Sequence, residues 1–97
     1  PEQPPAIVLM TPPLMISTPQ SLAWGYEGAD RKSQALGSCY LQLARELEVL
    51  AFDVQAVASP SSLDGIHFDS QAQQAIAAAL ADLIARELKP DRRQSPP

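Results

Sequence analysis

The chain has 97 residues, 45% of them hydrophobic and 19% charged, with a formal net charge of −4. A chain of this length holds one domain or part of one. The acidic balance argues against nucleic-acid binding, which normally needs a basic face. No apolar run approaches the roughly 18 residues of a membrane-spanning helix, and no signal peptide is recognisable. The cellular compartment stays open, with the cytoplasm slightly favoured.

The first predicted element is a strand over residues 6–10, which read AIVLM. The run is continuously apolar and too short for a helix, which is typical of a strand buried on both faces in a parallel sheet. Residues 1–5 contain three prolines. They predict a lead-in without regular structure, because proline lacks the amide donor and fixes φ.

Residues 14–28 predict a long irregular loop, because one proline and two glycines interrupt any periodic pattern. Loops of this length are often functional or mobile. The apolar side chains of this loop allow two interpretations, a loop folded onto the core or the wall of an apolar pocket for a substrate. The candidates for such a wall are Met15, Trp24 and Tyr26.

Residues 29–48 predict a helix, since apolar residues recur at spacings of four, three and four. The residues of this face are Leu36, Tyr40, Leu43 and Leu47. Asp30 can cap the helix or complement its dipole. Cys39 is the only cysteine, so it can form neither an internal disulfide nor a zinc cluster, and its place between two leucines predicts a small buried side chain.

A second buried strand is predicted over residues 49–54, a loop over 55–66 and a final helix from Ser70 to Lys89. Ser70 with Gln73 fits a capping box at the start of that helix. The apolar stripe predicted for the helix comprises Ala72, Ile76, Leu80, Leu83, Ile84 and Leu88.

The predicted order β-α-β-α implies parallel strands joined by a right-handed crossover. Two parallel strands do not make a stable sheet alone, and doubly wound folds normally have about five or more. Because both strands are predicted to be buried on both faces, the chain is interpreted as the last portion of a larger α/β domain. We expect residues 6–89 to be its core segment and residues 90–97 a flexible tail.

One titratable pair stands in the loop that leaves the second strand, Asp64 and the single histidine, His67. Parallel α/β sheets place their sites at the carboxyl ends of strands. A neutral imidazole can take a proton from a serine hydroxyl, and a nearby carboxylate fixes the tautomer of that imidazole. Gly65 allows a tight turn, so that both side chains can face one way.

Two other interpretations of these residues stay open. Asp-Gly is a common turn dipeptide, and either Asp69 or Ser70 can cap the following helix, which leaves His67 as a surface residue. Asp64, His67 and Asp69 could also hold a metal ion. Metal sites usually need more ligands, however, and this spacing fits no established motif.

The stretch SSLDGIHFDSQAQQAIAAALADLI resembles the closing block of SGNH (GDSL-type) serine esterases, which carries the catalytic Asp and His as D-x-x-H before a small-residue helix. Upstream, IVLMTPPLM resembles the family's penultimate strand, and YEGADRKSQALGSCYLQLARELEVLAFDV its next helix and last strand. The arylesterase-like branch, which acts on small acyl esters, looks closest. The resemblance implies the C-terminal part of a single SGNH domain over 1–97, with a doubly wound, parallel, three-layer (flavodoxin-like) fold.

By this resemblance, Asp64 is the triad acid and His67 the general base, and no cofactor is implied. The family also needs a Gly-Asp-Ser block with the nucleophile, and a separate Gly and an Asn as oxyanion donors. The chain contains no Gly-Asp-Ser and no Asn. These groups are therefore expected before Pro1, and the chain alone is expected to be inactive. The rival interpretation is a non-catalytic interaction module that pairs with a separate N-terminal chain or with a second copy of itself.

Overall fold

The computed structural model describes residues 4–88. Its elements, in chain order, are β1 (Val8–Met10), α1 (Pro19–Ala23), α2 (Ala29–Leu47), β2 (Leu50–Phe52), α3 (Val54–Val57) and α4 (Ser70–Glu87). Residues 1–3 of the predicted lead-in, the predicted helix end at Lys89 and the predicted tail over 90–97 lie outside the described residues.

The two strands form a parallel sheet in which Val8 pairs with Leu50 and Met10 with Phe52. α2 connects them and contacts both, which confirms the predicted strand–helix–strand unit and the α/β class. Each strand has three residues, fewer than predicted. The prediction that both strands are buried on both faces is wrong for this chain, because Met10 and Ala51 are exposed. A sheet of two strands leaves one edge of each strand without a neighbour.

The predicted loop over 14–28 is not irregular throughout, because α1 lies within it. Thr18 starts this helix through a capping box. The Thr18 Oγ1 accepts the Ser21 N–H at 3.0 Å, and the Ser21 Oγ accepts the Thr18 N–H at 2.9 Å. Pro19 follows at the first helical position, where its missing N–H removes no helical hydrogen bond. Ser21 stands at the third helical position, where a capping box usually has Glu or Gln. The sequence pattern therefore did not indicate this motif.

The carboxyl ends of β1 and β2 are tied together by side chains. Asp53, predicted inside the strand over 49–54, instead caps α3 by accepting the Gln55 N–H at 3.1 Å. The same carboxylate oxygen accepts the Thr11 hydroxyl at 3.1 Å, and the Thr11 Oγ1 accepts the Val54 N–H at 2.9 Å. Thr11 is 3% exposed, so direct hydrogen bonds around a buried side chain hold both strand exits in one place.

The buried face of α2 is not the predicted leucine face. The buried residues of α2 are Ser33, Gly37 and Ala44. Gly37 accommodates the side-chain amide of Gln55, since a Cβ at Gly37 would lie 2.7 Å from the Gln55 Nε2. The Gln55 amide in turn donates to the Pro12 and Ser33 carbonyls at 2.9 Å. The leucines lie to one side of this contact, and their exposed fractions are 46% for Leu36, 43% for Leu43 and 59% for Leu47.

Two finer predictions about α2 have different outcomes. Cys39 is exposed rather than buried, because it follows the buried Gly37 by two residues and therefore lies about 200° further round the helix. Asp30 does not cap the helix. The capping position is Gly28, without a side-chain hydrogen bond, and Asp30 lies in the first turn, where its charge complements the dipole.

The last helix, α4, begins at Ser70 as predicted and ends at Glu87. The predicted capping box of Ser70 and Gln73 is wrong. Asp69 caps the helix instead, and its Oδ1 accepts the Ala72 N–H at 2.8 Å. Most of the predicted apolar stripe is half-buried, whereas Ile84 is 43% exposed.

Burial of hydrophobic residues is limited within residues 4–88. The buried hydrophobic residues are Ala44, Phe52 and Val54. α4 packs against α3, and none of its residues is fully buried. No helix in the described part of the chain is long and apolar enough to cross a membrane.

Candidate active site

Asp64 and His67 lie in the loop between α3 and α4, and backbone hydrogen bonds close this loop. The Ser61 N–H donates to the His67 carbonyl at 2.7 Å, and the Gly65 N–H donates to the Ser61 carbonyl at 2.8 Å. The Asp64 Oδ1 accepts the N–H groups of Ile66 at 2.9 Å and His67 at 3.0 Å. Asp64 therefore shapes the turn with its side chain, as aspartate often does.

The structure brings the two predicted site residues into direct contact. The Asp64 Oδ2 lies 2.6 Å from the His67 Nδ1. The backbone N–H of His67 lowers the pKa of Asp64 to about 2, helped by the His67 side chain and the Ile66 N–H. An ionised carboxylate only accepts hydrogen bonds, so the Nδ1 of a neutral His67 must carry the proton and its Nε2 keeps a free lone pair.

The exposure of the pair differs between its two members. The side chain of Asp64 is 18% exposed, and that of His67 is 75% exposed. The carboxylate is thus held against the turn while the imidazole stands in solvent. An imidazole in this tautomer can accept a proton at Nε2 from a hydroxyl that approaches the exposed side, and the carboxylate then faces the imidazolium.

The same geometry tests the other interpretations of these residues as a turn, a helix cap or a metal site. Asp64 organises the turn, as the turn interpretation predicts, but it does not cap α4, because Asp69 does. Within residues 4–88, no three His, Cys, Asp or Glu side chains are grouped so that they could hold a metal ion. The turn role is compatible with a catalytic role, since the two oxygens of Asp64 serve them separately.

A cavity of about 400 Å³ lies beside this turn. Its wall includes the predicted pocket residue Met15 together with Pro12, Pro13, Leu36 and Ile66. Ile66 belongs to the Asp64–His67 turn, so the cavity and the pair share one element. The other two predicted pocket residues do not line this cavity. Trp24 is the C-cap of α1 and is 52% exposed, and Tyr26 is 46% exposed.

One contact of the site was not predicted, that between Gly65 and Ile16. The Ile16 N–H donates to the Gly65 carbonyl at 3.0 Å. Gly65 is buried and has a φ of +72°. An added Cβ at Gly65 would overlap the carbonyl oxygen of Ile16. The Asp-Gly dipeptide indicated the turn, but no local pattern indicates a partner in the loop that follows β1.

Comparison with known proteins found similar solved structures only. No family model matches the chain, and no curated protein matches it. A carbohydrate acetylesterase family member from Sinorhizobium meliloti is 30% identical with a TM-score of 0.79, over 89% of this chain and 41% of its own.

Two arylesterase structures are similar as well. The aryl esterase of M. smegmatis is 29% identical with a TM-score of 0.75, and a putative arylesterase from Agrobacterium tumefaciens is 33% identical with a TM-score of 0.71. Both matches cover 84% of this chain and 39% of the other. The chain thus spans about two fifths of the length of the esterases that it matches.

Proposed function

This chain is similar to SGNH-type esterases, as its sequence predicts, and from that similarity we propose that it supplies the acid and base of a serine ester hydrolase. Asp64 is the acid and His67 the base. The observation that carries the proposal is the 2.6 Å contact between the Asp64 Oδ2 and the His67 Nδ1. Residues 1–97 are then the C-terminal part of one domain, and the remainder of that domain or a partner chain provides the serine and the oxyanion donors.

In this mechanism the Nε2 of His67 takes the proton from the serine hydroxyl while the serine oxygen attacks the ester carbonyl. The tetrahedral intermediate collapses, the bond to the alcohol breaks, and His67 returns the proton to the alcohol oxygen. A water molecule then gives a proton to His67 and attacks the seryl ester. The carboxylic acid leaves, and the serine regains its proton. Asp64 stays ionised throughout and stabilises the imidazolium.

We propose small carboxylic esters as substrates. The similar structures are named for acetylated carbohydrates and for aryl esters, which have a short acyl group or an aromatic alcohol. Met15 lines the cavity beside the turn and is the first candidate for the pocket wall. Trp24 and Tyr26 are the further candidates, and their exposed rings offer apolar area to the alcohol part of the ester.

The experiment uses the full-length product, meaning the product of the complete reading frame that contains these residues. Hydrolysis of p-nitrophenyl acetate is measured for the wild type and for His67→Ala. Without its base the enzyme should lose kcat on the order of 10⁴-fold or more, while circular dichroism shows an unchanged fold.

Asp69→Asn is the matched control. It removes a carboxylate two residues from His67, and asparagine still caps the helix, so kcat should stay within about twofold. A full-length product without esterase activity, or a His67→Ala variant as active as the wild type, overturns the proposal.

A second candidate is a non-catalytic interaction module. Two observations favour it for these 97 residues: the sequence contains neither Gly-Asp-Ser nor Asn, and the leucine face of α2 is exposed. The partner is then a separate chain or a second copy of this one. Light scattering together with the esterase assay distinguishes the two candidates. An interaction module forms a complex of defined mass, and its full-length product lacks esterase activity.

A further inference from the structure

The loop that follows β1 is fixed to the rest of the chain immediately before it meets the turn. The Met15 N–H donates to the Ser33 Oγ at 2.9 Å, and that hydroxyl donates to the Asp30 carbonyl at 2.9 Å. Ser33 is 7% exposed. The peptide that joins Leu14 to Met15, directly before Ile16, is therefore held against the first turns of α2.

Gly65 packs its backbone against this anchored segment. Its carbonyl accepts the Ile16 N–H, and its Cα lies so close to the Ile16 carbonyl that no side chain fits between them. Asp64 precedes Gly65 directly, and the carboxylate of Asp64 holds the N–H groups of Ile66 and His67. A displacement of Gly65 therefore moves the carboxylate and the imidazole together with the turn.

We propose that Gly65 is a positioning residue, which sets the Asp64–His67 pair in place through its close contact with the Ile16 peptide. This inference rests on the proposed function where it concerns catalysis, and on the geometry alone where it concerns the state of His67. Gly65 has two separable properties, a positive φ and a missing Cβ. The inference attributes the positioning to the missing Cβ.

Gly65→Ala and Gly25→Ala separate these two properties. Gly25 has a φ of +89°, and a Cβ there would meet nothing within 4 Å. Both substitutions introduce the strain of an L side chain at positive φ, but only Gly65→Ala forces a backbone contact apart. The pair is therefore a matched test of the contact itself.

The experiment follows three readouts in the full-length product. Imidazole ¹⁵N shifts of His67, assigned with His67→Ala, should show the Nδ1–H tautomer in the wild type and in Gly25→Ala, and a mixture in Gly65→Ala. Hydrogen exchange of the Ile16 amide should be at least about tenfold faster in Gly65→Ala only, because its acceptor moves. In Gly65→Ala, the kcat for p-nitrophenyl acetate should fall about 10- to 100-fold with little change in KM, as misplacement of a catalytic group predicts.

If Gly65→Ala does not fold, Ser33→Ala gives the answer, because it removes the anchor of Met15 and leaves Gly65 unchanged. It should then accelerate exchange of the Ile16 amide and mix the His67 tautomers, in the same direction and by less. The inference is overturned if the variant that folds keeps the wild-type tautomer of His67 and the wild-type exchange rate of the Ile16 amide. If the wild type is no esterase but the two spectroscopic effects occur, the proposed function fails and the positioning stands.

Discussion

Asp64 contacts His67 with both of its carboxylate oxygens. Oδ1 accepts the His67 backbone N–H at 3.0 Å, and Oδ2 lies 2.6 Å from the ring Nδ1. One residue thus fixes where the histidine stands in the turn and which ring nitrogen carries the proton. Because each carboxylate oxygen has a different partner, the two functions of Asp64 can be separated by substitution.

Asp64→Asn is the substitution that separates them. The amide oxygen can still accept the two backbone N–H groups, but the amide nitrogen then faces Nδ1 and donates to it. The neutral imidazole must carry its proton on Nε2 and can no longer act as a base. We expect kcat of the full-length product to fall about 10³- to 10⁴-fold. Steady-state kinetics with p-nitrophenyl acetate measure the effect, and an activity near that of Asp69→Asn would contradict it.

The lowered pKa of Asp64 makes a prediction about stability. The pKa falls from 3.8 to about 2 on folding, chiefly because the carboxylate accepts the His67 N–H. A group whose pKa is lower in the folded state stabilises the fold above its unfolded pKa, and the contribution disappears as pH falls through the folded pKa. Asp64 should therefore contribute fully above about pH 5 and progressively less between about pH 4 and pH 2.

Urea unfolding of the full-length wild type and of Asp64→Asn, measured from pH 2 to pH 7, tests this prediction. The difference between their free energies of unfolding should shrink as the pH falls from about 4 toward 2. A difference that stays constant down to pH 2 would show that the Asp64 carboxylate is not held by the turn.

The leucine face of α2 should behave differently in the isolated chain and in the full-length product. The isolated 97 residues should bind a hydrophobic dye and aggregate, because large apolar side chains are exposed. Leu43→Gln should reduce dye binding of the isolated chain. In the full-length product the same change should cost about 2–5 kcal/mol of folding free energy, if the rest of the domain covers this face.

Leu63 supplies the control for the leucine experiment. It is 83% exposed and lies in the loop directly before Asp64 rather than on a helix. Leu63→Gln should change the folding free energy by no more than about 0.5 kcal/mol.

A sharp, cooperative melt of a clean monomer of the isolated wild type would contradict the fragment interpretation.

Thr11→Val tests the junction of the two strand exits. The substitution keeps the shape of the side chain but removes the acceptor of the Val54 N–H and a donor to Asp53. A buried donor without a partner costs about 1–3 kcal/mol, and we expect a loss of that size in chemical denaturation. Ser17→Ala, at an exposed position of the following loop, should be nearly neutral, and equal effects of the two substitutions would argue against the junction.

Local patterns in the sequence predicted the order of the two strands and the two long helices correctly, whereas two short helices were missed. The helix predicted over 29–48, which the structure has over Ala29–Leu47, follows from apolar periodicity between Leu36 and Leu47, over about three turns. α1 and α3 were missed because each is about one turn long, which is too short to show apolar periodicity even though Thr18 and Asp53 cap them. The capping box at Ser70 was wrong because Asp69 stands one residue earlier, where its side chain accepts the Ala72 N–H and its carbonyl accepts the Gln73 N–H.

The sequence by itself determined that this is an α/β chain with an aspartate and a histidine in one turn, because periodicity, the Asp-Gly dipeptide and the spacing of D-x-x-H act over a few residues. Only the tertiary structure decided which face of α2 is buried, since the amide of Gln55 enters the space that Gly37 leaves free. It also decided that Gly65 lies on the peptide of Ile16. Contacts of this kind depend on backbone approach between distant segments, and no short stretch of sequence encodes such an approach.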